Sequence, residues 1–402
     1  MKILIAMSGG VDSSVAAYLL RSQGHELIGA MMKLFDGDAE ILHETCDISR
    51  ESKKNSHDSK MVSCDASKNH LHDSQNISRD SKKNSRDSHV NTRGCCTLSD
   101  AEDARAVANA IGVPFFVFNY KEIFDEKVLT RFVECYSNGI TPNPCIDCNR
   151  FVKFEKFLHR ANELECDSMA TGHYARIEKD PICGRFLLKT GVDFSKDQSY
   201  VLYAMTQNQL AKTIFPLGEL KKEDVRKIAE TNNFINAKKR DSQDICFAPK
   251  GDYAGFIARA GFSPPPGNFV DRDGKILGRH KGITNYTVGQ RKGLGISASE
   301  PLFVTKINAA ENIVVLGAKV ELFSKKLFAS EINFIPFEKL DEKIRVRAKI
   351  RYAHEPQNAT LWQTSDDSVH VEFDAPQRAI TPGQAVVFYD GDIVLGGGTI
   401  LG

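Results

Sequence analysis

The chain has 402 residues, of which 41% are hydrophobic and 26% are charged, and its formal net charge is +1. These values are typical of a soluble protein with two or three domains, and they exclude a generally basic surface while leaving room for a local basic face. The apolar N-terminus is too short to span a bilayer and lacks the features of a signal peptide, so we expect a cytoplasmic protein without a membrane segment. Ten cysteines in a chain of this length indicate buried, ligating or catalytic thiols rather than a disulfide scaffold.

Strands and helices alternate in the first part of the chain. The predicted strands are Lys2–Ala6, Glu26–Met32, Val113–Phe118 and one that ends at Ser168–Ala170. The predicted helices are Asp12–Gln23, Asp100–Ile111 and Leu220–Asn232. Alternation of this kind predicts a parallel sheet with helices on both faces, and we expect an α/β catalytic domain over residues 1–250.

Residues 47–93 differ in composition from the rest of this domain. The segment contains no Phe, Tyr or Trp, and ISRESKKNSHDS from Ile48 recurs as ISRDSKKNSRDS from Ile77. Such a sequence cannot bury enough apolar surface to offset the entropy of ordering the chain. It predicts a disordered, low-complexity insertion in a surface loop.

After residue 250 the pattern changes to short strands separated by turns. Asp273-Gly274 and Asp390-Gly391 are typical hairpin turns, and polar and apolar residues alternate in the segments beside them. This pattern predicts two smaller, mostly β domains, with a central one over residues 251–325 and a C-terminal β-barrel over residues 326–402.

The sequence Ser8-Gly-Gly-Val-Asp-Ser13 follows the first strand and opens the first helix. Its glycines allow the backbone to approach a phosphate closely, and the N–H groups at the start of the helix favour an anion. Asp12 could help to hold Mg²⁺. No Gly-Lys-Ser/Thr follows, which excludes a Walker A loop. The loop resembles the pyrophosphate loop (PP-loop) of the N-type ATP pyrophosphatases, a resemblance that implies cleavage of ATP to AMP and pyrophosphate with adenylation of a carbonyl oxygen.

Two further motifs contain cysteine. TPNPCIDCN places Cys145 and Cys148 three residues apart, and SQDICF carries Cys246. Two thiols that the fold brings together can pass sulfur, because one carries a persulfide and the other resolves it. Lys153 and the basic run 238–240 could supply a positive field that favours the reactive thiolate. A zinc half-site, a dithiol switch and buried core thiols remain alternatives.

With these motifs the chain resembles the bacterial tRNA-specific 2-thiouridylases over nearly its whole length outside the insertion. The supporting strings are SGGVDSSVAAYLL, MMKLF, TPNPCIDCN, ATGHYARI, KDQSYVLY, DSQDICF and TPGQAVVFYDGDIVLGGG. The resemblance implies ATP- and Mg²⁺-dependent insertion of sulfur at position 2 of the wobble uridine of tRNA. It also implies two partners, tRNA and a sulfur donor, the latter a persulfide-donating sulfur carrier or a cysteine desulfurase.

The resemblance further implies roles for individual residues. Cys148 matches the nucleophile, and Cys246 matches the persulfide carrier. The positions that match ATP-binding residues are Ala6, Met7, Ser8, Gly9, Gly10, Val11, Asp12, Ser13, Met32 and Gly172. The positions that match tRNA-binding residues are Asn143, Pro144, Cys145, His173, Lys196, Asp197, Gln198, Arg351, Tyr352 and Gln384.

Cys145 stands where some members of the family have an aspartate that is proposed as a general acid/base. An unperturbed thiol titrates near about 8.5 rather than about 3.9, so the two groups are not equivalent bases. Cys145 could transfer the proton as a perturbed thiol, or the role could be unnecessary. A third alternative is a 4Fe-4S cluster on Cys145, Cys148 and Cys246 with one iron open for sulfide. Two other functions also remain open at this point, an amidating ATP pyrophosphatase and an ATP-sensing or RNA-binding protein.

Overall fold

The computed structural model describes residues 1–35, 97–241, 245–248 and 251–401. The predicted insertion over residues 47–93 lies outside these residues. The strands of the N-terminal region are β1 (Lys2–Ala6), β2 (Glu26–Lys33), β3 (Phe115–Asn119), β4 (Ser168–Ala170), β5 (Ala175–Lys179), β6 (Phe186–Thr190) and β7 (Thr213–Ile214). Five of them form one sheet in the order β3-β2-β1-β4-β7, and every neighbouring pair is parallel.

Nine α-helices lie within the described residues. They are α1 (Val11–Ser22), α2 (Leu98–Ala110), α3 (Lys121–Phe124), α4 (Arg131–Ser137), α5 (Pro144–Asp147), α6 (Phe157–Glu163), α7 (Gln207–Ala211), α8 (Lys222–Thr231) and α9 (Tyr253–Arg259). Two π-helical segments, Asp125–Thr130 and Cys148–Lys156, continue α3 into α4 and α5 into α6.

Side chains alternate across β1, as the two-residue period of a strand requires. Ile3 and Ile5 pack with α1, α2 and α8 on one face of the sheet. Leu4 and Ala6 pack with α6 and the second π-helical segment on the other. The predicted parallel sheet with helices on both faces is therefore confirmed.

The third strand begins two residues later than the sequence indicates. The N–H of Val113 donates to the carbonyl of Ala108 and so closes α2. Pro114 has no N–H to give to the sheet. Pairing with β2 consequently starts at Phe115.

A four-stranded sheet follows, in the order β10-β11-β8-β9. Its strands are β8 (Gly267–Val270), β9 (Ile276–His280), β10 (Phe303–Asn308) and β11 (Ile313–Gly317). The predicted turn at Asp273-Gly274 joins β8 to β9, and Gly274 there has a positive φ of 85°. The core of this sheet is drawn from residues 269–316 and is centred on Phe269 and Val304.

The C-terminal region is the predicted barrel. Its strands are β12 (Phe323–Phe334), β13 (Ile344–Lys349), β14 (Gln357–Ser365), β15 (Ser368–Arg378), β16 (Ala385–Asp390) and β17 (Ile393–Ile400). The barrel closes where β12 pairs with β17. Strand β17 also pairs with β6, so the β5–β6 hairpin of the N-terminal region extends the barrel sheet to eight strands. The sequence gives no local sign of this pairing.

Candidate functional site

A cavity of about 520 Å³ opens at the carboxyl ends of β1, β2 and β4. Strand β1 lies between β2 and β4, so the cavity occupies the point at which the strand order reverses, where open α/β sheets bind their ligands. Its volume lies within the usual range for small-molecule sites.

The loop from Ser8 to Ser13 forms one wall of this cavity. The hydroxyl of Ser13 accepts a hydrogen bond from the Ser8 N–H at 3.1 Å and donates to the carbonyl of Gly10 at 3.0 Å. Gly9 has φ +76°, and a Cβ there would overlap the main-chain carbonyl of Asp100. Only glycine fits this position, because both the backbone conformation and the close contact exclude a side chain. The loop is thus held in shape before any ligand arrives.

Residues 236–239 brace the same loop from outside. Asn236 donates to the carbonyl of Gly9 at 3.1 Å and to the hydroxyl of Ser14 at 2.8 Å. Lys239 donates to the Gly9 carbonyl at 3.2 Å and forms ion pairs with Asp100 and Asp103. Of the basic run proposed to favour a thiolate, Lys239 therefore holds the loop.

Asp12 faces the cavity, and its carboxylate already has two partners. The ammonium of Lys222 lies 2.7 Å from each carboxylate oxygen, and the hydroxyl of Tyr174 donates at 2.7 Å. Burial and the negative charge of Asp12 raise the pKa of Tyr174, which keeps that hydroxyl a donor. Asp12 fits a contact to Mg²⁺ only if the cation shares or replaces the Lys222 ammonium. Lys222 was not predicted as a site residue, because its partner lies 210 residues away and no local pattern connects the two.

Lys222 also forms an ion pair with Asp241 at 2.7 Å. Asp241 in turn binds Lys196 at 2.8 Å and Arg226 at 3.0 Å. Burial would raise the pKa of Asp241, but the hydrogen bonds from Lys196 and Lys222 lower it below its ordinary value. Asp241 is therefore an anion that three cations share.

The residues that match ATP-binding positions meet at this cavity. Gly172 packs directly on the loop, since a Cβ there would lie 2.9 Å from the Ser13 nitrogen. Those that line the cavity are Ala6, Met7, Ser8, Gly10, Val11, Asp12, Ser13, Met32 and Gly172. Gly9 lies behind them, against Asp100.

The positions matched to tRNA binding fall into two groups. The residues of the first group line the same cavity and are His173, Lys196, Gln198 and Tyr352. Tyr352 follows β13 and donates to the carbonyl of Asp197 at 3.1 Å, so the barrel contributes to the cavity wall.

The second group makes contacts within the protein. The Asp197 carboxylate accepts from the N–H groups of Gly191 and Ser199 and from the Ser199 hydroxyl. The guanidinium of Arg351 donates to the carbonyl of Ala379. These contacts shape the loops around the cavity.

His173 is buried between the rings of Phe154 and Phe215, with centroid distances of 5.8 Å to each. One ring nitrogen lies 2.6 Å from the hydroxyl of Thr171. Burial and the charge of Lys153 hold its pKa well below the ordinary value. His173 is therefore neutral at physiological pH.

The TPNPC turn packs against the barrel. The side-chain amide of Gln384 donates to the carbonyls of Thr141 at 2.8 Å and Pro142 at 3.2 Å. The N–H of Thr141 donates to the carbonyl of Pro382 at 3.0 Å. The turn then enters α5, where the side chain of Asn143 accepts from the N–H of Cys145 and Pro144 takes the first helical position.

The three cysteines of interest differ in environment. Cys145 is exposed, Cys148 is 8% exposed, and Cys246 is half-buried. Cys148 and Cys246 pack in one hydrophobic cluster with Phe132 and Phe247. Cys148 also opens the π-helical segment that carries Lys153 to the cavity wall. The fold thus brings Cys148 and Cys246 to a common cluster, whereas Cys145 faces solvent.

Among the described residues, no three His, Cys, Asp or Glu side chains form a group able to hold a metal ion. The described residues include Cys145, Cys148 and Cys246, so the alternative of a 4Fe-4S cluster on these cysteines gains no support. Within the same part of the chain, no helix is both long enough and apolar enough to cross a membrane.

Asp147 lies between the two thiols of the CxxC turn and was not singled out from the sequence. Burial raises its pKa to about 6, although Arg131 at 3.6 Å acts in the opposite direction. Arg131 also pairs with Glu331 of β12 at 2.7 Å, and Thr399 of β17 donates to the same carboxylate. The turn is therefore tied electrostatically to the barrel.

Three family models match the chain. Residues 1–77 and 58–250 match the tRNA methyl transferase HUP domain. Residues 255–318 match the tRNA methyl transferase PRC-barrel domain, and residues 324–400 match the aminomethyltransferase beta-barrel domain.

Curated relatives match over the full length. The tRNA-specific 2-thiouridylase MnmA of Clostridioides difficile strain 630 is 46% identical over 400 residues, covering 99% of this chain and 98% of the relative. Proteins of the same name from Clostridium acetobutylicum and Lachnoclostridium phytofermentans are each 45% identical, with 99% and 100% of this chain covered and 99% of each relative. Identity at this level over whole chains, together with the loop, the cysteines and the cavity, shows that the chain belongs to the family of the tRNA-specific 2-thiouridylases.

Proposed function

We propose that the protein replaces the 2-oxygen of the wobble uridine of tRNA with sulfur, using ATP. The observation that carries the proposal is the composition of one cavity. The phosphate loop, four positions matched to tRNA binding and the helix that starts at Cys148 all meet there. An ATP-sensing protein or an amidating enzyme would need the loop, but neither function assigns a role to Cys148 and Cys246.

The first step activates the base. The uridine, extruded from its stack, places its 2-oxygen against the α-phosphate of ATP, and pyrophosphate leaves as the adenylate forms. Loop N–H groups stabilise the departing charge because they are fixed before reaction. Mg²⁺ bound with ATP supplies further charge compensation, with Asp12 as its candidate protein contact.

The second step transfers sulfur. A persulfide-donating sulfur carrier or a cysteine desulfurase loads Cys246 with a terminal sulfur. The Cys148 thiolate attacks the inner sulfur of Cys246 and releases hydrosulfide, which adds to carbon 2 and expels AMP. A Cys148–Cys246 disulfide remains, and an external thiol must reduce it with two electrons before the next turnover. In a variant of this step, the terminal sulfur attacks carbon 2 and expels AMP while it is still attached to Cys246. The Cys148 thiolate then attacks the Cys246 sulfur, which releases the thiolated base and leaves the same disulfide.

The buried position of Cys148 suits this role, because the hydrosulfide is released away from bulk water. Exposed Cys145 lies at the turn that is matched to the target base, where it could transfer a proton. Neutral His173 lines the same cavity, where its ring can donate or accept a hydrogen bond.

The test is 2-thiouridine measured by nucleoside mass spectrometry. Unmodified tRNA is incubated with ATP, Mg²⁺ and a persulfide source, using wild type, Cys148→Ser, Cys246→Ser and Cys183→Ser. Cys183 is exposed in the β5–β6 turn and serves as the matched control. We expect product from wild type and Cys183→Ser alone.

Other outcomes would revise the proposal in defined ways. If Cys246→Ser makes 2-thiouridine from free sulfide, Cys246 is not the residue that carries the persulfide. Full activity that depends on iron after anaerobic purification would favour the cluster alternative. AMP production without any need for tRNA would point to an amidating enzyme instead.

A further inference from the structure

A chain of ion pairs connects the tRNA-matched wall of the cavity to the phosphate loop. Lys196 pairs with Asp241, Asp241 with Lys222, and Lys222 with Asp12. Lys196 is partly exposed at the cavity, whereas Lys222 is 8% exposed. Lys196, Asp241 and Asp12 all line the cavity, whereas Lys222 connects the two carboxylates from inside the protein.

Lys222 is shared between two carboxylates. Its ammonium has three donors, and three carboxylate oxygens lie 2.7 Å away, two from Asp12 and one from Asp241. The strength with which it holds Asp12 therefore depends on how strongly Asp241 attracts it.

That attraction depends on the other cations around Asp241. Lys196 and Arg226 compensate its charge at 2.8 Å and 3.0 Å. If a tRNA phosphate draws Lys196 away, Asp241 has less compensation and attracts Lys222 more strongly. Asp12 is then released to compensate the cation that accompanies ATP.

We propose that Asp241 and Lys222 are positioning residues that couple tRNA binding to nucleotide binding. The inference rests on the proposed function and deepens it. Bound tRNA raises the affinity of the loop for Mg·ATP, and by linkage Mg·ATP raises the affinity for tRNA by the same factor. Through this coupling, ATP binds preferentially to enzyme that already holds its RNA substrate.

The test measures the dissociation constant of Mg²⁺ with a non-cleavable α,β-methylene ATP analogue by calorimetry, with and without saturating unmodified tRNA. In wild type we expect tRNA to tighten nucleotide binding roughly tenfold, within the usual range for coupled sites. In Asp241→Asn the ratio falls to near one, because a neutral amide cannot transmit the loss of Lys196. Asp241→Glu, which keeps the charge, retains part of the coupling.

Two further variants complete the design. Lys196→Met removes the cation at the cavity end and also brings the ratio to near one at saturating tRNA. Since Lys196 is partly exposed, this variant decides the question if Asp241→Asn does not fold. Asp224→Asn removes an exposed ion pair with Lys227 on the same helix α8 and should keep the wild-type ratio.

The outcomes separate this inference from the proposed function. Wild type that binds both ligands without coupling overturns the inference and leaves the function standing, and so does coupling that persists in Asp241→Asn and Lys196→Met. Wild type that binds neither the analogue nor tRNA overturns the proposed function itself.

Discussion

Asp147 shows how one residue sets a pH dependence at the cysteine turn. Its carboxyl is buried beside Arg131, and burial outweighs the cation, so the folded-state pKa is about 6 against an ordinary value of 3.8. The folded protein therefore holds the proton more tightly than the unfolded chain does. The stability that the protonated Asp147 carboxyl contributes is fully present below about pH 4. It is lost as pH rises through 6, where the buried carboxyl group ionises.

We predict that Asp147→Asn is more stable than wild type at pH 8 by about 2–3 kcal/mol, the equivalent of the raised pKa. At pH 4 the difference should be small, because wild type is then largely protonated. Urea denaturation at pH 4, 6 and 8 measures both. Asp224→Asn, an exposed carboxylate, is the control and should show no such trend. A variant that is less stable than wild type at pH 8 would mean that the pairing with Arg131 outweighs burial.

At the scale of the element, the CxxC turn depends on a turn of the barrel. Gln384 and Pro382 hold Thr141 and Pro142 through three hydrogen bonds. The resemblance implies that Gln384 contacts tRNA, which stays a prediction, and in the structure its amide makes this bracing contact. The motif itself was visible in the sequence because it is contiguous, whereas its support lies more than 240 residues away and has no local pattern.

We predict that Gln384→Ala loosens the turn rather than simply weakening tRNA binding. Two carbonyls lose their donor, which costs about 1–3 kcal/mol, so amides over residues 141–148 should exchange about tenfold faster or more. Hydrogen exchange with mass spectrometry detects this. Gln357→Ala is the matched control, since its amide donates to the carbonyl of Glu355, two residues away, and lies outside the turn. Unchanged exchange over 141–148 with weaker tRNA binding would return Gln384 to a direct RNA contact.

At the scale of the molecule, local patterns predicted the elements, and long-range contacts decided how they combine. The strand, loop and helix of residues 2–22 follow one another directly, and period and turn residues were enough to place them. The pairing of β17 with β6 and the Asp12–Lys222–Asp241 chain join segments far apart in sequence, so one sequence carries no periodic sign of them. The barrel and the N-terminal region consequently share a core in which Tyr389 packs with Tyr200.

This shared core predicts how the molecule unfolds. Phe373, 2% exposed, lies in the barrel's own cluster, and Phe269, 0% exposed, lies in the cluster of residues 269–316. Changing either phenylalanine to Ala leaves a cavity in the core and should lower the free energy of unfolding by about 3–5 kcal/mol. Because the β5–β6 hairpin is hydrogen-bonded to β17, we expect Phe373→Ala to lower exchange protection over residues 186–190 as well as in the barrel.

Phe269→Ala should leave the protection of residues 186–190 unchanged and affect only the central sheet. Native-state hydrogen exchange of both variants distinguishes the two effects, with wild type as reference. If Phe373→Ala spares residues 186–190, the hairpin and the barrel unfold independently despite their pairing. If both variants lower that protection equally, the whole chain is one cooperative unit.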